Sequence, residues 1–251
     1  MVAEGLFKRL DLHVHTPRSV CYVDNIDAGA GPRTQASDIV RAALAAGLDA
    51  IAVTDHNTGA RIDWVREAAD GAGLVVFAGA EVTTRAGHVL ALFDPAERSI
   101  RVAELLRELG FAEGEEGDAY YATKAWMGEA CRVIQEAGGL AIAAHVDRRP
   151  RGFIASAEPL AEKLRIYDCE YLSALEITVA QDKARWTAGA VPHYAKPYAC
   201  LQNSDSHAPS EVGRRCTLAR MPELTLAWLR TAIREHQERL RFPHETGLAE
   251  A

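Results

Sequence analysis

The 251-residue chain has no CxxC pair; its five cysteines, Cys21, Cys131, Cys169, Cys200 and Cys216, are scattered and odd in number. That spacing argues against a disulfide framework or a zinc ribbon and fits reduced thiols in a cytosol. No apolar run approaches the roughly 18–20 residues needed to span a bilayer. Met1 to Leu10 holds no apolar signal core, so no membrane partner and a cytoplasmic location are expected. Positive charge is in deficit, 28 Lys and Arg against 35 Asp and Glu, a net charge of −7. This argues against a broad basic face for long nucleic acid, but a small basic pocket for a phosphate group is compatible with it. Linkers, repeats and low-complexity stretches are missing too, so one domain over residues 1–251 is the simplest reading.

What is present is an alternation of strand and helix patterns, which points to an α/β fold. Strands are expected at Leu10–His15, Asp49–Thr54, Leu74–Ala78 running on to Glu81, His88–Phe93, Leu140–Ala144, Ala174–Thr178, Tyr198–Asn203 and Cys216–Ala219. Helices are expected at Ser37–Ala46 with Ser37 as N-cap and Gly47 as stop, then at Arg61–Asp70, Ile100–Leu109 and Ala125–Ala137. A helical tail runs from Pro222 to Leu240, and the acidic loop Glu113–Asp118 reads as exposed surface.

Chemistry-bearing residues are expected at the C-terminal ends of strands, in Asp11-Leu12-His13-Val14-His15-Thr16, Thr54-Asp55-His56, Gly79-Ala80-Glu81, Ala144-His145 and Asp205-Ser206-His207. Side chains on a strand alternate, so His13 and His15 share a face, and so do Asp205 and His207. Imidazoles and carboxylates are ligands for borderline divalent metals. In a parallel barrel the loops at the C-terminal strand ends form the active face. A multi-metal hydrolytic site gathered from several strand ends is the reading. Asp11 and Asp55 are expected to orient a ligand or cap a strand end, and Glu176 to be structural. His193, His236 and His244 are expected at the surface.

Taken together and in this order, the runs resemble the PHP (polymerase and histidinol phosphatase) domain family, over about Leu10 to Arg215. The resemblance implies a distorted (β/α)7 TIM-like barrel, here followed by a C-terminal helical segment at about 222–245. It implies two or three divalent metal ions (Zn, Mn or Fe) and phosphoester hydrolysis through a hydroxide bridging two of them. His13, His15, Glu81 and Asp205 would hold one metal. Glu81, His88 and His145 would hold a second. His56 and His207 would hold a third or protonate the leaving group. Many members carry a third-site ligand after the first motif, whereas this chain reads Ser19-Val20-Cys21-Tyr22. Val20 cannot ligate; Cys21, a small hydrophobe or a soft ligand, and Asp24 are candidates, so two metals and three both stay open.

Arg148, Arg214 and Arg18 are the candidate phosphate anchors, because guanidinium matches phosphate oxygens bidentately; Lys163 and Lys183 are weaker ones. The expected substrate is a small phosphomonoester, a nucleotide or a short oligonucleotide end. Two other classes stay open: an amidohydrolase-type enzyme acting on C–N bonds, which also uses His-X-His after its first strand, and a non-catalytic metal-binding module.

Overall fold

The computed structural model describes residues 6–22, 31–150 and 152–246. One sheet organises them. Its first seven strands are β1 (Phe7–Val14), β2 (Ala50–Val53), β3 (Val75–Thr84), β4 (Gly87–Phe93), β5 (Leu140–Ala143), β6 (Ala174–Glu176) and β7 (Cys200–Leu201). They neighbour one another in sequence order, and β8 (Thr217–Arg220) and β9 (Leu240–Arg241) extend the sheet beyond β1. The ring nearly closes where the chain after β7 returns to β1. Val14 bridges Ser206 in parallel, and Asn203 Oδ1 accepts from Leu12 N at 2.9 Å. Asp11 completes that seam by accepting from the backbone N–H groups of Ser204 and Gly213, both at 2.9 Å.

The helices α1 (Pro32–Ala45), α2 (Ile62–Ala69), α3 (Ser99–Glu108), α4 (Met127–Glu136), α5 (Leu160–Tyr167) and α6 (Lys183–Thr187) lie outside the sheet. The apolar residues of these helices pack on outward strand residues such as Ile51, Val53, Val76 and Ala78. A second cluster fills the ring with Leu10, Leu12, Ala52, Phe77, Leu90, Leu92, Ile142 and Leu201. Each large side chain buried there contributes about 1.5–3 kcal/mol. The helix α7 (Leu226–Arg234) supplies Leu226, Leu229 and Ile233 to the same inner cluster. It stoppers the end where the parallel strands begin, leaving their C-terminal ends open.

Three expectations are corrected. The C-terminal segment is not one helix: it turns at Glu235 into the short α8 (His236–Arg239) and then adds β9 to the sheet. The first helix starts at Pro32, not Ser37. Proline suits the first helical position because it has no N–H to leave unpaired, and Ser37 Oγ instead donates back to Arg33 O at 3.0 Å. Finally, β4 runs antiparallel to both β3 and β5. Its N-terminal end, not its C-terminal end, therefore lies at the open face, and His88 begins there. Among the described residues no helix is long and apolar enough to cross a membrane.

Candidate metal centre

At the open face a β-bulge sets the first pair of ligands. Leu10 pairs with Ala50, Asp11 with Ile51 and Val14 with Val53, so β1 spends one more residue than β2 between the last two pairings. An extra residue lets two successive side chains point the same way. Leu12 thus faces the inner cluster and Val14 the outer one, while His13 and His15 both reach the mouth of the ring.

The eight candidate ligands converge. Glu81 lies at their centre and is 1% exposed. Its Oε2 faces His13 Nε2 and His15 Nε2 at 3.2 Å each and His56 Nδ1 at 3.1 Å. Its Oε1 faces His88 Nδ1 at 2.7 Å and His145 Nε2 at 2.9 Å. Asp205 Oδ1 lies 3.2 Å from both His13 Nε2 and His15 Nε2, which are themselves 3.2 Å apart. Ligands bonded at 2.0–2.1 Å to one cation stand about 2.9–3.4 Å from each other in octahedral or tetrahedral arrangement, and these spacings match. His15, His56 and His207 bring a third set of nitrogens together.

The hydrogen bonds fix which nitrogen is free. Ser19 Oγ lies 2.6 Å from Asp55 Oδ1, to which it must donate, so at 3.0 Å it accepts from His15 Nδ1. His13 Nδ1 donates to Glu176 at 3.0 Å. His207 Nδ1 donates to the Asp205 carbonyl at 3.0 Å. In the neutral form of each ring the lone pair is therefore on Nε2, which faces Glu81 and Asp205 in His13 and His15 and lies beside Cys21 Sγ in His207. Such outer partners set tautomer and orientation in metal sites. Glu81 Oε2, His56 Nδ1 and His145 Nδ1 are buried without a hydrogen-bond partner. An unpaired buried polar atom costs about 1–3 kcal/mol. A divalent cation beside Glu81 Oε2 and His56 Nδ1 would relieve both, so the donor set fits the group.

Backbone strain marks the same place. Among the described residues four non-glycines have positive φ, and three of them, Asn57 (51°), His145 (30°) and Asp205 (50°), belong to the site or adjoin it. Such conformations cost about 1–3 kcal/mol each and persist where surrounding structure imposes them.

Charge in the cluster is shared unevenly. Burial lowers His13 and His15, but the Glu176, Asp205 and Glu81 carboxylates outweigh it; His13 rises well above the ordinary histidine value and His15 to about 9. Burial dominates at His56, which falls to about 3, and at His207, which is also lowered. Burial would raise Glu81 and Asp205, yet the surrounding histidines hold both well below the usual carboxylate range.

The arginines divide. Arg148 reaches the centre and pairs with Asp205 Oδ2. Arg214 does not: it donates to the Ser204 carbonyl and to Glu211. Arg18 pairs with Glu116 at 2.8 Å on the rim. The acidic loop is accordingly not free surface throughout, because Gly117 is buried, donates to His56 O and accepts from Val20 N, both at 2.8 Å. Glycine is required there: φ is +83° and a Cβ would sit 2.3 Å from Arg18 O. Lys163 and Lys183 are engaged away from the cluster, with the Ile154 and Ser156 carbonyls and with Glu245. Cys21 is exposed rather than buried, with Sγ 3.0 Å from His207 Nε2. Asp24 lies outside the described residues. Of the remaining histidines, His193 and His244 are exposed, while His236 is half-buried.

Sequence reasoning passed over Thr16, Ser19 and Arg215, and gave Glu176 too small a part. Asp55 accepts from Thr16 N at 2.8 Å, Thr16 Oγ1 at 2.7 Å and Ser19 Oγ, tying the turn after β1 to His15. Arg215 donates to the Asn203 and Ser204 carbonyls and fixes the approach to Asp205. Glu176 accepts from His13, from His145 N at 2.8 Å and from Asn203 Nδ2 at 2.9 Å. A polar residue ending a strand that faces the mouth was the available signal for Glu176. Glu176→Gln puts an amide where three donors converge. It is expected to weaken metal binding by about 10- to 100-fold with the fold intact; chelator competition measures this, and unchanged affinity would remove Glu176 from the site.

No protein-family model and no curated protein matches the sequence. Solved structures do. A lesion-specific endonuclease, endonuclease Q from Pyrococcus furiosus, superposes with a TM-score of 0.67 at 18% identity, over 94% of this chain and 58% of that one. A two-domain protein from Bacteroides vulgatus that contains a predicted PHP-like metal-dependent phosphoesterase gives 0.61 at 17%, over 95% and 65%. The chain has the fold of the PHP-type barrels. It spans less than two thirds of the length of these two neighbours. The PHP-type barrel also superposes on an amidohydrolase from Chromobacterium violaceum, solved with sulfate and no metal, with a TM-score of 0.56 at 20% identity, over 93% of this chain and 98% of that one.

Proposed function

We propose that the chain is a metal-dependent phosphoesterase acting on a small phosphomonoester, a nucleotide or an oligonucleotide end. The observation that carries this reading is Glu81, one buried carboxylate whose two oxygens face five imidazole nitrogens at 2.7–3.2 Å. That is the disposition of a ligand shared between two cations. His13, His15 and Asp205 would complete one position, His88 and His145 the second. His56 and His207, both held neutral by burial, offer lone pairs rather than protons, which favours a third position over a general-acid role; Cys21 adjoins it. Zn, Mn and Fe all suit such mixed ligands. When bound, the metals supply an activated water and absorb charge on the phosphoryl oxygens.

The chain's own residues do the rest. Arg148, half-exposed and already paired with Asp205, is placed to turn its guanidinium toward a phosphate and to stabilise its developing charge. Glu176 and the Asp55–Ser19 pair hold His13 and His15 in one tautomer. Endonuclease Q has been solved on a 27-mer duplex with an abasic lesion at its active site. This likeness supports nucleic acid among the substrates and weakens the expectation, drawn from net charge, that long nucleic acid is excluded.

The amidohydrolase likeness keeps a second reading, hydrolysis of a C–N bond. Elemental analysis of protein purified without chelator, paired with hydrolysis of aryl phosphate mono- and diesters and of an aryl amide, separates the readings. Two or three metals per chain with phosphoester turnover is the expected result. Amide turnover alone would establish the second reading, and stoichiometric metal without turnover on any of them would establish a binding module.

A further inference from the structure

Two of the cysteines meet outside the metal centre. Cys131 lies within α4, buried in the outer apolar cluster, and Cys169, half-buried, packs against that cluster from the turn that follows α5. Gly128 stands one turn before Cys131 on the same face of α4. A Cβ there would lie 3.9 Å from both Cβ and Sγ of Cys169. The thiols of Cys131 and Cys169 are hydrogen-bonded to each other. The turn is also held against the helix. Gln135 Nε2, one turn beyond Cys131, donates to the Tyr171 carbonyl at 3.1 Å and to Ser173 Oγ at 2.6 Å, and Lys196 Nζ donates to the Cys169 carbonyl at 2.9 Å.

Cys169 can be reached from solvent. It lines a cleft of about 470 Å³ together with Trp126, Arg132, Arg165 and Tyr171. None of the eight candidate metal ligands lines that cleft, and the metal chemistry uses neither cysteine. The two sulfurs differ. Hydrogen bonding from the Cys131 thiol draws the Cys169 thiol down to about 6 against burial, and the N–H groups of Tyr171 and Leu172 and the Lys196 ammonium assist. The same hydrogen bond, with burial, pushes Cys131 well above the ordinary thiol value. An accessible sulfur that ionises easily, beside a buried thiol, is the arrangement of reversible thiol oxidation.

We propose that Cys169 and Cys131 form a redox site, which a hydroperoxide converts to a disulfide. The Cys169 thiolate attacks one peroxide oxygen. An S–O bond forms as the O–O bond breaks, and the departing hydroxide takes up a proton. The Cys131 sulfur then attacks Cys169 Sγ; the S–S bond forms as the S–O bond breaks, and the second hydroxide leaves with the Cys131 proton. Two thiols are oxidised, and one hydrogen peroxide is reduced to two waters. Such reversible pairs are compatible with a reducing compartment, where a structural disulfide framework is not. Helix α4 leads into β5 and the Cys169 turn into β6, the strands that precede His145 and carry Glu176, so the bond would join two supports of the metal centre.

The test treats the full chain as purified with hydrogen peroxide, blocks remaining thiols and maps the peptides without reduction. The expected product is a peptide pair joined through Cys131 and Cys169 and released by dithiothreitol. In Cys131→Ser, dimedone should label Cys169, whose sulfenic acid then has no thiol to meet. In Cys169→Ser, oxidation of Cys131 should slow about tenfold or more, because a buried thiol without an ionised neighbour is inert. Absence of the joined pair in the wild-type protein, or Cys169 joined to another cysteine instead, would overturn the site. So would oxidation of Cys131 at the wild-type rate in Cys169→Ser.

Discussion

Glu81→Ala is expected to lower phosphoester turnover by more than about a thousandfold, beyond the loss of a single transition-state donor, and to reduce bound metal per chain. The substitution removes both oxygens around which five imidazoles are arranged. With no carboxylate between them, two cations would meet each other's charge across a buried gap. The fold should survive, because the inner and outer apolar clusters do not depend on this side chain. Elemental analysis, circular dichroism and a phosphoester assay on one preparation check all three statements. A folded Glu81→Ala protein that keeps wild-type metal and rate would eliminate the bridging role.

The second large effect is on pH. In the metal-free protein His15 is raised to about 9, and His13 is raised as well, because carboxylates around them outweigh burial. Both Nδ1 atoms are committed to Glu176 and Ser19, so the extra proton occupies Nε2, the atom that would bind metal. Metal must displace it. Affinity should therefore rise about tenfold per pH unit, for each proton displaced, from pH 6 to about 9. The sign for stability follows from the raised value. Protonated His15 stabilises the metal-free fold fully below the unfolded value near 6.5, and that contribution is lost as pH rises through about 9. The metal-loaded fold, with no proton on Nε2, keeps its stability over the same window. Chelation should thus cost little stability at pH 6 and far more at pH 8.5, the gap widening by about 1.4 kcal/mol per unit. Denaturation with and without chelator at several pH values measures it; a gap that is constant or narrows with pH would show that no proton competes for the site.

Most of the strand order was legible in the chain, because apolar runs bounded by glycine report burial directly. The polar residues at their edges were legible for a related reason: a histidine or carboxylate at the end of a buried strand is costly unless something there uses it. Boundaries were less so. Proline at the first turn of α1 outweighed the serine signal at Ser37, and α5 and α6 gave no pattern strong enough to stand out.

What the sequence by itself determined is the α/β alternation and the identity of the eight polar residues that gather at one face. Alternation and burial are local properties, written in neighbouring residues. Tertiary structure alone decided how those residues meet. The bulge in β1 depends on pairing with β2, and the reversal of β4, which brings His88 to the face from the opposite strand end, depends on both neighbours. Glu176 finds His13 across 163 positions, and Asp55 reaches His15 only through Ser19. Arg18, Arg148 and Arg214 are alike as letters, yet one pairs on the rim, one enters the centre and one braces a loop. A long flexible side chain takes its partner from whatever folds within its reach, and no local pattern encodes that.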